Sequence, residues 1–445
     1  LEIDAFRRAF REVYPESGDA FVCRAPGRVN LIGEHMDYNG LPVLPMAIGQ
    51  AIRVAFAPRK EPIITMRNVS DRFPVVSFEN QADIPPSPPG SWENYCKAAV
   101  QKLNHHLGQS EFVGLDLLVD SDLPMAAGLS SSSALVVASA LAYLGALDMT
   151  LDEDMSRVEL AELMATAEHY VGTRGGGMDQ AVILNGRPGH ACKIDFFPLR
   201  VETAPLPEGH AVVVTDSMVK VEKSGAALHR FNAGPRFCHL AAALVEKHLQ
   251  YEFEDDVTIE RLGDLWFGPL CLTHDEARSI CDRAIPEERL SLGDISAILA
   301  KPSNEVRKRW LGDQPEPEGG FPLKARLRHQ LSEYRRVERA RDALLVGDAE
   351  AFGDLMNASH TSCADDFGIS SDELDALVEV SREAGALGAR LTGAGFGGAT
   401  ISLVPVGQLD AFRAHVTEHY YRKRRGLDGA PPLFVAEPSA GAEYF

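Results

Sequence analysis

Arg28, Asn30, Glu34, His35 and Asp37 crowd into residues 27–40, in the run GRVNLIGEHMDYNG. Apolar, strand-like residues precede the run at 21–23 and follow it at 42–48. Charged groups held between apolar elements are rare unless they are paired or functional. The run therefore reads as the wall of a ligand pocket. Glu34, His35 and Asp37 supply acceptors and a donor for a polyhydroxylated molecule. Arg28 supplies a fixed cation for an anion or a developing alkoxide.

A second acidic constellation spans residues 168–180, EHYVGTRGGGMDQ. A predicted helix ends there, and glycines 175–177 lead to Asp179. Glu168 and Asp179 could divide the work, one near a metal ion and one near a hydroxyl. The plainer alternative places Glu168 on a solvated helix face and makes Asp179 an N-cap. His35 and His360, with Asp37 or Asp365, lack HxH or HxxxH spacing, so hydrogen-bonded histidines are expected, not metal ligands.

Residues 124–134, PMAAGLSSSSA, lie between a predicted strand and a strong predicted helix. Small residues let the backbone approach a ligand, and the helix start offers unpaired N–H groups and partial positive charge. That combination suits a nucleotide triphosphate. Ser131 or Ser132 could reach Mg²⁺. The alternative is a serine N-cap with no ligand. No GxxxxGK[ST] occurs, and the protein-kinase Lys and HRD set is missing. Residues 388–398, GARLTGAGFGG, contain a literal GxGxxG. A helix is expected before it and a strand after it, the wrong context for a dinucleotide fingerprint. A turn packed against the first loop fits better; a glycine turn needed only by the backbone is the alternative.

The elements that must carry these groups are legible in outline. Helices are predicted at 4–13, at 92–107 capped by Ser91, at 134–146, 157–171 and 374–384. Strands are predicted near Val22 and at 51–57, 63–66, 75–78, 112–119, 212–215 and 400–404. Prolines at 85, 86, 88 and 89 demand a surface loop. Residues 240–335 read as an acidic, mostly helical inserted arm. Strands and helices mix without a βαβ rhythm, which predicts an α+β fold. No fixed-period repeat is visible.

The chain has 445 residues, 64 acidic against 44 basic, and a formal net charge of -20. That balance argues against nucleic acid or an acidic membrane as partner, but leaves phosphate ligands open. Seven scattered cysteines with no CxxC pair argue against a disulfide framework or zinc knuckle, so a cytoplasmic location is expected. The apolar helix candidate at 134–147 is too short to span a bilayer, and no secretory segment is expected. A start without Met is consistent with trimming.

In order and spacing, residues 27–40, 128–134 and 388–398 match the three motifs of the GHMP sugar and isoprenoid kinases, and the chain closely resembles the galactokinase family. WENY at 92–95, MDQ at 178–180 and FGDLMNASH at 352–360 are further matches. The resemblance covers most of the chain and is weakest over 240–335. It implies a two-lobed GHMP kinase fold with lobes 1–211 and 212–445, an active site between them and a helical insertion in the second lobe. It implies ATP and Mg²⁺ as cofactors, a galactose-type monosaccharide as substrate, and γ-phosphoryl transfer to the anomeric hydroxyl. By position, Asp179 is the base and Arg28 its partner; an opposite charge lowers an Asp pKa by ~1–3 units. Glu34, His35, Asp37, Gly176 and Phe231 match sugar positions. Gly128, Leu129, Ser130, Ser131, Ser132 and Ser133 match the nucleotide loop, with Trp92 at the nucleotide edge. Ser132 and Glu168 match the Mg²⁺ positions. A monomer is expected.

Some positions depart from the galactokinase pattern. Met36 replaces a usual Thr, Gly177 a bulky residue, Phe231 a sugar-contacting Tyr, and Ala126 and Ala127 replace glycines. The runs at 43–46, 175–180 and 391–395, with the four serines, are more similar to the N-acetylgalactosamine kinase branch. Open space at Gly177 would suit an acetamido group, and an isoleucine there is expected to penalise the acetylated sugar. Galactose is the first expectation and N-acetylgalactosamine the alternative. A silent sugar-sensing regulator is the reading from another class; the presence of both Arg28 and Asp179 favours the enzyme. A dinucleotide-dependent oxidoreductase is disfavoured by the context of the second glycine loop.

Overall fold

The computed structural model describes residues 2–124, 128–173, 175–220, 225–253 and 257–445, with backbone only for 225–231. Its fold is α+β. Strands β1 (Phe21–Ile32) and β2 (Leu44–Arg59) form a long antiparallel pair. β1 is buried at almost every position, Arg28 and Asn30 included. Register shifts at Pro26/Arg28 and Asn30/Ile32 interrupt the ladder. Such irregularities re-aim side chains, and here they flank Arg28 and Asn30.

β3 (Ile63–Asn68), β4 (Val76–Glu79) and β5 (Gly114–Ser121) extend this sheet beyond β2, with β3 parallel to β5. β6 (His190–Asp195) and β7 (Arg200–Pro205) form a separate hairpin. The second sheet is antiparallel, in the order β11 (Leu433–Ala436), β8 (His210–Asp216), β10 (Ala399–Pro405), β9 (Gly388–Thr392). The last strand, β12 (Glu443–Tyr444), returns to the free edge of β1.

Helix α1 (Ile3–Val13) buries Phe6 and Phe10 against Val22, Ala55 and Leu118 on one face of the large sheet. α2 (Glu93–Leu107), α3 (Ser131–Ala146), α4 (Arg157–Ala167) and α5 (Met178–Asn185) form a second layer. α3 is apolar on every side and buried from Ser133 to Leu144, as a helix without a polar stripe must be. A polar network locks it to α2. Tyr143 Oη donates to Asn104 Oδ1 at 2.5 Å and accepts from Asn80 Nδ2 at 3.1 Å.

Helices dominate the middle of the chain: α6 (Gly225–Phe253), α7 (Asp264–Phe267), α8 (His274–Ala284), α9 (Leu292–Leu299), α10 (Ser303–Val306) and α11 (Leu323–Val346). α12 (Ala349–Asp365) and α13 (Asp372–Glu383) follow, and α14 (Leu409–Val416) covers the second sheet with α13. The expected arm boundaries at 240 and 335 both fall inside helices. α11 continues because nothing stops it until Gly347, which adopts the left-handed conformation of a C-cap at φ 73°. Three other boundaries move. The helix expected at 134 begins at Ser131, and the one expected to reach 171 becomes a 3₁₀ turn at Glu168. The cap of α2 is Trp92, not Ser91, and it makes no side-chain cap bond. A strand, β9, and not a helix, directly precedes the second glycine turn. That turn joins two antiparallel strands, so no helix N-terminus follows the GxGxxG.

All seven cysteines are free thiols, six buried and Cys271 exposed. Among the described residues no helix is long and apolar enough to cross a membrane. Replacing Tyr143 by Phe strands the buried Asn104 Oδ1, and an unsatisfied buried polar group costs about 1–3 kcal/mol. Urea unfolding should report a loss of that size; an unchanged midpoint would show that the network contributes nothing.

Candidate active site

The bulges of β1 aim Arg28 away from the ladder and toward the start of α3. Its Nε lies 2.7 Å from Asp179 Oδ1 and its Nη1 donates to the Gly128 carbonyl at 2.6 Å. The Arg28 backbone N–H donates to the Leu129 carbonyl at 3.2 Å. Burial pulls the guanidinium's pKa down, but the Asp179 carboxylate more than offsets this and leaves it raised. Asp179 sits in the first turn of α5. The N-cap of α5 is Gly177, so the N-cap reading of Asp179 does not hold.

Ser130 bears on the capping reading of the serine run. It is the N-cap of α3 by position, in a left-handed conformation at φ 59°, yet it makes no side-chain cap bond. Its hydroxyl instead donates to Asp179 Oδ2 at 2.5 Å, and Ser133 Oγ lies 3.4 Å from the same oxygen. The backbone N–H groups at the start of α3 are left without a side-chain cap from Ser130. Residues 125–127, including Ala126 and Ala127, lie outside the described residues.

The second glycine turn packs on the first, as expected. A Cβ on Gly393 would sit 3.0 Å from the Gly128 carbonyl oxygen, and both glycines hold a positive φ, 82° and 76°, that L side chains rarely adopt. The Gly393 N–H donates to Glu34 Oε1 at 2.8 Å, and Arg390 Nη2 is 3.6 Å from the same oxygen. Glu34 is buried, and burial lifts its pKa to about 7 despite Arg390 and Arg28. Asp37 accepts from the Gly176 N–H at 3.1 Å. Its pKa is raised by burial and then by the Asp179 charge. His35 Nε2–H donates to the Ala394 carbonyl at 3.3 Å, and Nδ1 accepts from Tyr38 Oη at 3.0 Å. Burial pushes its pKa down to about 3, so the ring is neutral.

Arg28, Glu34, His35, Asp37, Asp179, Ser132, Ser133 and Glu168 line one cavity of about 150 Å³. Glu168 is 7% exposed, which excludes the solvated-face reading. Ser132 also lines a neighbouring cavity of about 340 Å³, with Ser131, Trp92, Phe73 and Tyr95. The polar and apolar chambers thus meet at the N-terminal turn of α3. Leu129 is a buried core side chain, and its part in the site is its carbonyl. The side chain of Phe231 lies outside the described residues.

Gly177 corrects one expectation. Its φ is 102°, and a Cβ there would meet the Ala165 methyl at 3.2 Å. Isoleucine at this position would strain the backbone before it touched any ligand, so it is no clean probe of a sugar pocket.

The residues missed from sequence hold the site from behind. Glu333 of α11 accepts from the Gly33 N–H at 2.8 Å and from Ser359 Oγ at 2.5 Å. His329 Nε2–H donates to the Glu34 carbonyl at 3.1 Å and Gln330 Nε2 to the His35 carbonyl at 3.0 Å. These residues are some 300 positions from the loop they fix, and no local pattern marks them. Arg390 lay within the second glycine segment, where its charge among apolar neighbours was the available signal.

Residues 8–58 match the family model described as the galactokinase galactose-binding signature, 94–187 the GHMP kinases N terminal domain and 340–422 the GHMP kinases C terminal. A galactokinase from Dictyostelium discoideum is 32% identical, with 99% of this chain and 93% of that protein covered. One from Roseiflexus is 34% identical, covering 95% and 92%. The solved structure of Lactococcus lactis galactokinase complexed with galactose superposes with a TM-score of 0.78 at 26% identity, over 100% of both chains. Methanococcus jannaschii mevalonate kinase, at 18% identity and TM-score 0.57 over 95% and 99%, shares the fold.

Burial holds His329 neutral, with its pKa pushed down to about 4 from an ordinary 6.5. The unfolded chain then binds more protons than the native one between those values, so stability falls as pH drops from 6.5 toward 4. Glu34, shifted upward, contributes the opposite slope over 4.5–7. His329→Gln removes the histidine's own term, and should lower the slope of unfolding free energy against pH between 4 and 6.5 by up to about 1.4 kcal/mol per unit. Parallel curves for the two proteins would refute the assignment.

Proposed function

Because this chain belongs to the galactokinase family of the GHMP kinases, we propose that it transfers the γ-phosphoryl group of ATP to the anomeric hydroxyl of D-galactose. The observation that carries this reading is the Arg28–Asp179–Ser130 constellation at the start of α3, between a small polar cavity and an apolar one. The sugar occupies the polar cavity, where Glu34 and Asp37 accept from its hydroxyls. The adenine lies in the apolar cavity beside Trp92, and the phosphates lie along the backbone N–H groups at the N-terminus of α3.

Asp179 accepts the proton of the anomeric hydroxyl as that oxygen attacks phosphorus. Arg28 holds the carboxylate ionised, fixes its orientation through Nε and stabilises charge developing on the sugar oxygen. Ser130 fixes the second carboxylate oxygen, so the base has one rotamer. Phosphoryl transfer of this kind is mostly positioning and charge stabilisation. Ser132, which lines both cavities, and Glu168, which lines the polar one, would offer Mg²⁺ the hard oxygen ligands it prefers. Mg²⁺ bound there would neutralise phosphate charge.

N-acetylgalactosamine is a second reading with its own support. A further cavity of about 490 Å³, walled by Phe196, Phe197 and Leu199, shares Tyr38, Ala165, Gly175 and Gly177 with the polar one. An acetamido group on the sugar has space there. The intact ion pair supports an enzyme over a silent sugar sensor.

Asp179→Asn is expected to bind ATP as the wild type does and to lose turnover by about 10²–10⁴-fold. A coupled assay with ATP, Mg²⁺ and a panel of galactose, N-acetylgalactosamine, glucose, arabinose and mevalonate reads both this loss and the preferred acceptor. Undiminished transfer by the variant would remove Asp179 from the mechanism; activity on mevalonate alone would remove the sugar.

A further inference from the structure

A chain of formal net charge -20 has a cavity with cationic walls. It measures about 470 Å³ and lies between α8, α11 and α12, behind the candidate active site. Arg278, Lys324, Arg328, Arg335, Arg336 and Arg339 line it, against one carboxylate, Asp282. Lys324, Arg328, Arg335 and Arg339 follow one another along α11 at intervals of four, seven and four, which places them on one face. Like charges at such spacing destabilise a helix unless something opposes them.

The protein opposes only part of this charge. Arg328 pairs with Asp366 at 2.6 Å and Glu288 at 3.2 Å, and Lys324 donates to the Pro286 carbonyl at 2.6 Å. Arg278 lies 3.9 Å from Asp282. Among the described residues Arg335 and Arg339 have no ion pair and no side-chain hydrogen bond, and both are exposed. Guanidinium groups that converge on a concavity match phosphoryl oxygens, which they grip bidentately.

Arg336 connects this cavity to the sugar-facing loop. Its Nε is 2.5 Å from Glu333 Oε2, and Glu333 Oε1 holds the Gly33 N–H. An anion that draws Arg336 outward weakens its grip on the carboxylate that positions residues 33–35. We propose that the cavity binds a small, multiply phosphorylated anion, and that occupancy is felt at residues 33–35 through Arg336 and Glu333. Binding is independent of the reaction proposed above.

The test titrates tripolyphosphate, inorganic phosphate and a sugar 1-phosphate, in separate arms, into the full chain saturated with Mg²⁺ and a non-hydrolysable ATP analogue. Calorimetry reads affinity, and hydrogen exchange reads the backbone amides of residues 33–40. At least one arm is expected to bind the wild type, and Arg335→Glu/Arg339→Glu to weaken that binding tenfold or more with an unchanged melting temperature. If that variant folds poorly, Arg335→Gln/Arg339→Gln takes its place. The preferred arm identifies the source of the phosphate, inorganic or metabolic. Exchange at 33–40 should change with ligand in the wild type and not in the variant. No binding in any arm, or equal binding by the variant, overturns the site; binding without a change in exchange overturns the coupling. Neither readout uses turnover, so failure here is distinguishable from failure of the kinase reading.

Discussion

A guanidinium buried to 6% exposure must have a counter-charge close by, and Arg28 has Asp179. Desolvating two ions is unfavourable, and their attraction offsets it only when geometry and further hydrogen bonds are good. Here the further bonds come from the Gly128 carbonyl and the Ser130 hydroxyl. The pair therefore ties β1, the loop before α3 and the start of α5 together at one point. Removing Asp179 would take from the buried Arg28 its nearest counter-charge.

A second layer repeats the logic. Arg390 is fully buried, donates to the Asn30 carbonyl at 3.2 Å and faces Glu34. Thr392 exchanges hydrogen bonds with the backbone of Asn30, at 2.9 and 3.1 Å. β9 of the second sheet is thus bonded across to β1 of the first at the level of the polar cavity. α11 completes the enclosure with Glu333, His329 and Gln330 on the carbonyls and N–H of residues 33–35. Its carboxylate is held low, at about 2, because Arg336, His329 and Arg390 outweigh its burial.

Much of this was legible because the chemistry is local. Arg28, Glu34, His35 and Asp37 announced themselves as charge inside an apolar stretch, and the serine run as a helix start. The α+β class followed from the mixed order of elements. What stayed hidden depends on tertiary packing. The role of Ser130 could not be separated from capping without knowing that Asp179 lies beside it. Glu333 looks like any helical glutamate until Gly33 is placed against it. The strand β9 was overlooked because its five residues are too few to show alternation, and it exists through pairing with β10. The limits of the arm misled for a related reason: α6 and α11 run through the boundaries that composition suggested.

The abutting glycines at 128 and 393 also bear on how this chain tolerates sequence drift. They are far apart in the chain, and the helical middle between them has surface loops that can lengthen or shorten at little thermodynamic expense. The glycines have less freedom. Both hold a positive φ that L side chains rarely adopt, and a methyl at 393 presses on the Gly128 carbonyl, so what is acceptable at 393 depends on where the backbone at 128 lies. For mutational purposes they form a single epistatic unit.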